Sequence, residues 1–133
     1  MNYLLDVLKK YAVFKGRARR TELWMFILFY LLIVTLLDII GSVFIGIGTA
    51  VNSNGLLILS KIIFPVLISG FYFGTLVPTI AVIVRRLHDT GRSGWWCFIA
   101  FVPFIGGIII FVFCCMDSEP GTNNYGPNPK EIV

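Results

Sequence analysis

Charge is what this sequence has least of. Asp, Glu, Lys and Arg make up 14% of its 133 residues, while 57% are apolar, and a soluble domain carries about 25% charged residues. An ordinary water-soluble domain is thereby excluded. Histidine occurs once, as His88, which leaves no second imidazole for a metal site. Cysteine occurs three times, at Cys97, Cys114 and Cys115, all within one apolar stretch and at no disulfide or metal-ligand spacing. They read as small buried filler, with redox chemistry or acylation at the adjacent pair as the alternative. The net charge is +4, but no nucleic-acid motif accompanies it, so DNA and RNA are rejected as partners. No motif calls for a cofactor or a metal.

Long apolar runs are what the sequence has instead. Residues 23–47, 62–84 and 95–116 each reach the ~20 residues needed to cross a ~30 Å hydrocarbon core, and they are apolar all round rather than striped. The expected fold is an all-α membrane protein: a single polytopic domain of three transmembrane helices. A basic cytoplasmic segment, 1–22, precedes them and an irregular aqueous tail, 117–133, follows. Within the first segment Tyr3, Leu4, Val7, Leu8, Tyr11 and Phe14 recur at helical spacing, which predicts a short amphipathic helix lying in the headgroup layer, stopped by Gly16. The first run is too long for the core of a signal peptide and lacks a cleavage site, so it is expected to stay as an anchor.

Local signals place the ends. Thr21 is a candidate cap for a helix starting near Glu22, Trp24 suits the bilayer interface, and Asn52, Ser53, Asn54 and Gly55 suit a short polar loop. Counted from Leu56 to Val84 the second apolar region would be about 43 Å long. Pro65 is therefore placed in the first turn of the embedded helix, and Pro78 is expected to kink its interior. Gly70 and Gly74 form a G-x-x-x-G face for close helix packing, or for a second copy of the chain. Residues 85–94, Arg-Arg-Leu-His-Asp-Thr-Gly-Arg-Ser-Gly, read as a tight turn with Ser93 capping the third helix.

Nine of the eleven basic residues fall in the amino-terminal segment and this turn: Lys9, Lys10, Lys15, Arg17, Arg19, Arg20, Arg85, Arg86 and Arg92. The positive-inside rule puts both regions in the cytoplasm and, with three spans, the tail outside.

Two constellations carry chemistry. Arg17, Arg19, Arg20, Arg85, Arg86, His88 and Arg92 converge if the amino-terminal segment folds back on the turn, and arginines so placed hold the phosphate of an anionic lipid. The competing reading makes them topology determinants, with Glu22 and Asp89 pairing arginines to fix the turn. The second constellation is Asp38, an acidic residue inside a span and so expensive in hydrocarbon. A helical count sets it level with Ser69 and near Tyr72, with Lys61 about 12 Å further out. A hydrogen bond to Ser69 or Tyr72 is the plain reading, and a proton or ion path the sharper one. His88 beside Asp89 suggests acid–base catalysis on a lipid headgroup, but no nucleophile completes it.

The arginine-histidine-aspartate block, with Phe14-Lys15-Gly16-Arg17-Ala18-Arg19-Arg20, Glu22, Trp24, Trp95-Trp96, Pro103-Phe104-Ile105-Gly106 and the tail Gly121 to Pro129, resembles the YhaH-type small bacterial inner-membrane proteins. The resemblance implies a bacterial inner membrane and no catalytic residues, since that family is a membrane domain of unknown function. The expected function is non-enzymatic binding of anionic membrane lipid, or of a protein partner, through the basic face. A small oligomeric transporter or channel component using Asp38 is the rival.

Overall fold

The computed structural model describes residues 9–131, so most of the expected amphipathic helix lies outside the described residues. Four helical elements follow one another: α1 (Arg20–Ala50), α2 (Asn54–Asp89), a 3₁₀ helix (Gly94–Phe101) and α3 (Gly106–Cys115). No strand occurs among the described residues; Asn123 and Gly126 form an isolated bridge in the tail. At 1.5 Å per residue the 31 residues of α1 and 36 of α2 measure about 46 and 54 Å. Both are long and apolar enough to cross a membrane.

The ends differ from expectation in three places, the first being that α2 runs on to Asp89, so residues 85–89 are helix and not part of the expected turn. Helix α1 begins at Arg20, so Thr21 lies inside its first turn. Helix α2 begins at Asn54, eight residues before the expected start at Ile62, which puts Pro65 deep in the helix rather than in its first turn. The reason is local. Ser53 accepts a hydrogen bond from the Leu56 amide at 3.4 Å, a cap that starts the helix directly after the turn.

The chain divides into two compact units, Met1–Phe26 with Val77–Val133, and Ile27–Leu76. The second is a helical hairpin. Its turn is tight, with the Ser53 amide donating to the Gly48 carbonyl at 3.0 Å and Asn52 at a left-handed φ of 51°. The helices approach where α1 has no side chain: a Cβ on Gly41 would meet Phe64 at 2.9 Å, and one on Gly48 would meet Leu57 at 3.0 Å. Tyr30 stacks on Phe71 at 5.4 Å and meets Tyr72 edge-on at 5.7 Å. Gly70 and Gly74, the expected packing pair, do not carry this contact, because a Cβ on either would meet nothing within 4 Å.

The first unit holds the main departure. The third apolar run is two short pieces instead of one spanning helix. Eight residues of 3₁₀ helix at about 2.0 Å each, and ten of α-helix at 1.5 Å each, give about 16 and 15 Å, half a hydrocarbon core at most. Between them the Ile105 amide donates to the Pro103 carbonyl at 2.8 Å across Phe104, whose φ is 66°. This is a γ-turn of the rarer, strained hand. Gly106 is obligatory beside it, since a Cβ there would lie 1.8 Å from the Ile99 carbonyl oxygen. The run goes out and comes back. Gly94, where it starts, packs on Val84 and His88, and near its end the Cys114 carbonyl accepts from Arg86 Nε at 3.2 Å.

The tail therefore returns to the basic segments. Arg17 donates to the carbonyls of Glu119 at 2.5 Å and Gly121 at 2.8 Å, and Arg19 to that of Pro129 at 2.7 Å. A tail on the far side of a bilayer from Arg17, as the count of three spans required, is incompatible with bonds of that length.

Candidate functional site

Helix α2 ends in a Schellman motif that Gly91 makes possible. With Gly91 at a φ of 74°, the Arg92 amide donates to Leu87 O at 2.9 Å and the Gly91 amide to His88 O at 3.1 Å. Other carbonyls of the last turn are met from elsewhere in the chain. The Glu119 amide donates to Asp89 O at 2.8 Å, and Asn123 Nδ2 to His88 O at 2.9 Å. The amino-terminal segment lies on the same helix end, with the Ala18 amide on Arg85 O at 3.1 Å.

Five charged side chains are buried here: Arg17, Glu22, Arg85, Arg86 and Asp89. Asp89 organises them. Its Oδ1 accepts from Arg17 Nε at 2.9 Å, and its Oδ2 accepts from Arg86 Nη1 and from the Ser118 hydroxyl at 2.6 Å. Glu22 accepts from Arg85 Nη1 at 2.7 Å. Arg86 also donates to the carbonyls of Ala18 and Met116. Arg85 Nη2, a buried donor, has no hydrogen-bond partner among the described residues.

The expected headgroup cluster thus assembles, but its heads point inward. Arg17, Arg85 and Arg86 are spent on partners within the chain, so the pairing role of Glu22 and Asp89 is the one the geometry displays. Arg20 remains partly exposed, donating to Met116 O at 2.8 Å and lying 3.6 Å from Asp117. Arg92 lies over the Phe113 ring at 4.1 Å. Asp89 does not orient His88. The His88 Nδ1 lies 3.3 Å from Gly16 O, and its ring stacks on Tyr125 at 3.8 Å.

Beside this knot the 3₁₀–α3 hairpin leaves an apolar slot of about 410 Å³, walled by Ile80, Ile83, Val84, Phe98, Phe101 and Ile110. A second recess of about 400 Å³ shares Phe14, Val84, Gly94 and Phe98 with it and adds polar walls from His88, Ser93 and Tyr125. The slot is wholly apolar, and the recess is mainly so, with polar atoms only at its edge. Sequence reasoning missed Ser118, Glu119, Asn123 and Tyr125, although the turn-forming run of Gly121, Asn123, Asn124 and Gly126 signals ordered turns.

In the helical hairpin unit, Asp38 lines a groove of about 270 Å³ whose polar walls are Lys61, Ser42 and Ser60; Ser69 and Tyr72 do not line it. All three thiols are free, Cys114 buried and Cys115 exposed.

Comparison with known proteins gives the same picture. Residues 11–127 match the family described as "Protein of unknown function (DUF805)". The chain is 42% identical over 132 residues to the inner membrane protein YhaH of Escherichia coli (strain K12), covering 98% of each. It is 40% identical over 130 residues to the inner membrane protein YhaI of the same organism, covering 98% of this chain and 97% of that one. No solved structure matches.

Proposed function

Because the chain belongs to the DUF805 family of membrane proteins, we propose that it resides in a bacterial inner membrane and holds an anionic phospholipid there, without catalysing a reaction. The acyl chain lies in the slot walled by Ile80, Val84, Phe98 and Ile110, and the headgroup sits at the mouth by His88 and Ser93. Helices α1 and α2 cross the bilayer, the 3₁₀–α3 hairpin dips in and returns, and both ends of the chain face the cytoplasm. The carrying observation is the slot itself. It is a wholly apolar recess that shares four wall residues with a second, mainly apolar one edged by His88, Ser93 and Tyr125, which suits an acyl chain, and the partly exposed Arg92, next to Ser93 in the chain, attracts an anionic headgroup. Burying apolar surface there gives about 25 cal/mol per Å².

Two measurements test the reading. Native mass spectrometry of the purified protein should show retained phospholipid, and Ala100→Trp, which fills the slot, should remove it. Equal retention in both ends the lipid proposal. For topology, Thr90→Cys and Thr122→Cys in a cysteine-free background should label from the same side of the membrane; labelling from opposite sides refutes the two-span arrangement.

A further inference from the structure

Between Glu22 and Arg85 the sequence has one acid and one strong base, Asp38 and Lys61. Sixty-two residues of otherwise uncharged chain bring both to the walls of a single groove. Neither is buried, and neither makes an ion pair or hydrogen bond among the described residues. The groove's own hydroxyls do not neutralise them, since Ser42 donates to Ile39 O at 2.7 Å and Ser60 to Leu56 O at 2.8 Å, each within its own helix. Pro65, also in the wall, has no N–H to give to the Lys61 carbonyl.

A lone carboxylate or ammonium on a membrane helix is costly, and such groups pair with one another or face a protein interior. Here they share a groove without meeting. A twofold axis resolves that arrangement, because an isologous contact puts residue i against j and j against i at once. One acid and one base on the same open surface is the self-complementary pattern such an axis requires.

We infer that the Asp38–Lys61 groove is the interface for a second copy of this chain, in a twofold dimer where each Asp38 pairs with the Lys61 of the other copy. The Gly70–Gly74 face is not part of this surface, since neither glycine lines the groove.

Charge exchange between two differently tagged, co-expressed chains tests the inference by co-purification from membranes. Wild-type chains should co-purify. Asp38→Lys alone places lysine against lysine at both contacts, and Lys61→Asp alone places aspartate against aspartate, so each should lose self-association by tenfold or more. Co-expressed with each other, these two variants have both contacts complementary and should recover co-purification to the wild-type level. That recovery also demonstrates that both are folded. If either variant fails to accumulate, Asp38→Asn and Lys61→Gln replace them, each expected to weaken self-association with unchanged helical content by circular dichroism. Self-association of the single variants at wild-type level, or a mixed pair that stays apart, overturns the dimer.

Discussion

Asp89→Asn removes one negative charge from the centre of the buried knot and almost nothing of its volume. Asp89 is fully buried, as are the side chains of Arg17 and Arg86, which it pairs. After substitution three buried guanidiniums, those of Arg17, Arg85 and Arg86, have Glu22 as their one buried counter-charge. Breaking a buried pair by deleting one partner costs about 3–5 kcal/mol, because the stranded charge keeps its desolvation penalty. Against a total of about 5–15 kcal/mol for a folded domain, that is a fifth or more of the stability. The amide retains one acceptor for Arg17, so the lower end applies to asparagine and the upper end to Asp89→Ala.

The assay is thermal unfolding in detergent micelles, with hydrogen exchange at the Glu119 amide, which donates to Asp89 O, as a local readout of the tail. The control is Asp117→Asn, an equal change of charge on an exposed carboxylate whose partners are Arg20 and Lys130. Exposed pairs are screened by water and salt, so its midpoint should match wild type. Asp89→Asn unfolding like wild type, or no more easily than Asp117→Asn, would refute the claim that Asp89 holds the tail and the amino-terminal segment to α2.

Two further outcomes follow from the packing. Gly106→Ala drives a Cβ into the Ile99 carbonyl and should open the 3₁₀–α3 hairpin, seen as faster alkylation of Cys114, whereas Gly107→Ala meets nothing and should leave that rate unchanged. Gly41→Ala presses on Phe64 and should cost about 1–3 kcal/mol by overpacking, while Gly70→Ala should be neutral in the same unfolding experiment.

Much of the fold is legible in the sequence because it follows from local chemistry. The two long apolar runs are helices, Ser93 accepts from the Trp95 amide at 3.4 Å as a cap should, and Gly16 and Gly91 adopt the left-handed conformations that turns demand. The third run misleads because hydropathy measures only transfer to lipid, and a hairpin that enters lipid and leaves by the same face satisfies it as well as a span does. Pro103 and the Gly106–Gly107 pair are the visible trace of the reversal, but a bend and a full reversal share those residues. What settles it is Gly106 against the Ile99 carbonyl, a contact of the folded chain that no spacing reveals. Lys61 facing the groove of Asp38 is of the same kind. A count along straight helices separates them, and the closeness of the two helices at Gly41 brings them to one wall.

The topology error propagates from one missing partner. A helix ending at Asp89 must satisfy its last carbonyls, and the sequence supplies Gly91 for the Schellman bonds while nothing nearby provides for Asp89 O or for the buried arginines. Positive-inside counting weighs Arg17, Arg85 and Arg86 as solvent-facing charges when they are structural cations. It still groups the three together, as the structure does, because they pack around Asp89 and Glu22. For the tail the rule has almost nothing to weigh, with Lys130 as its one base, so the tail's placement rests on the number of crossings alone. Once Glu119 and Asn123 are seen to cap α2, and Arg17 to bind the carbonyls of Glu119 and Gly121, the tail packs on the end of α2, and a third run made of two short helices fits the proposed arrangement that enters and returns.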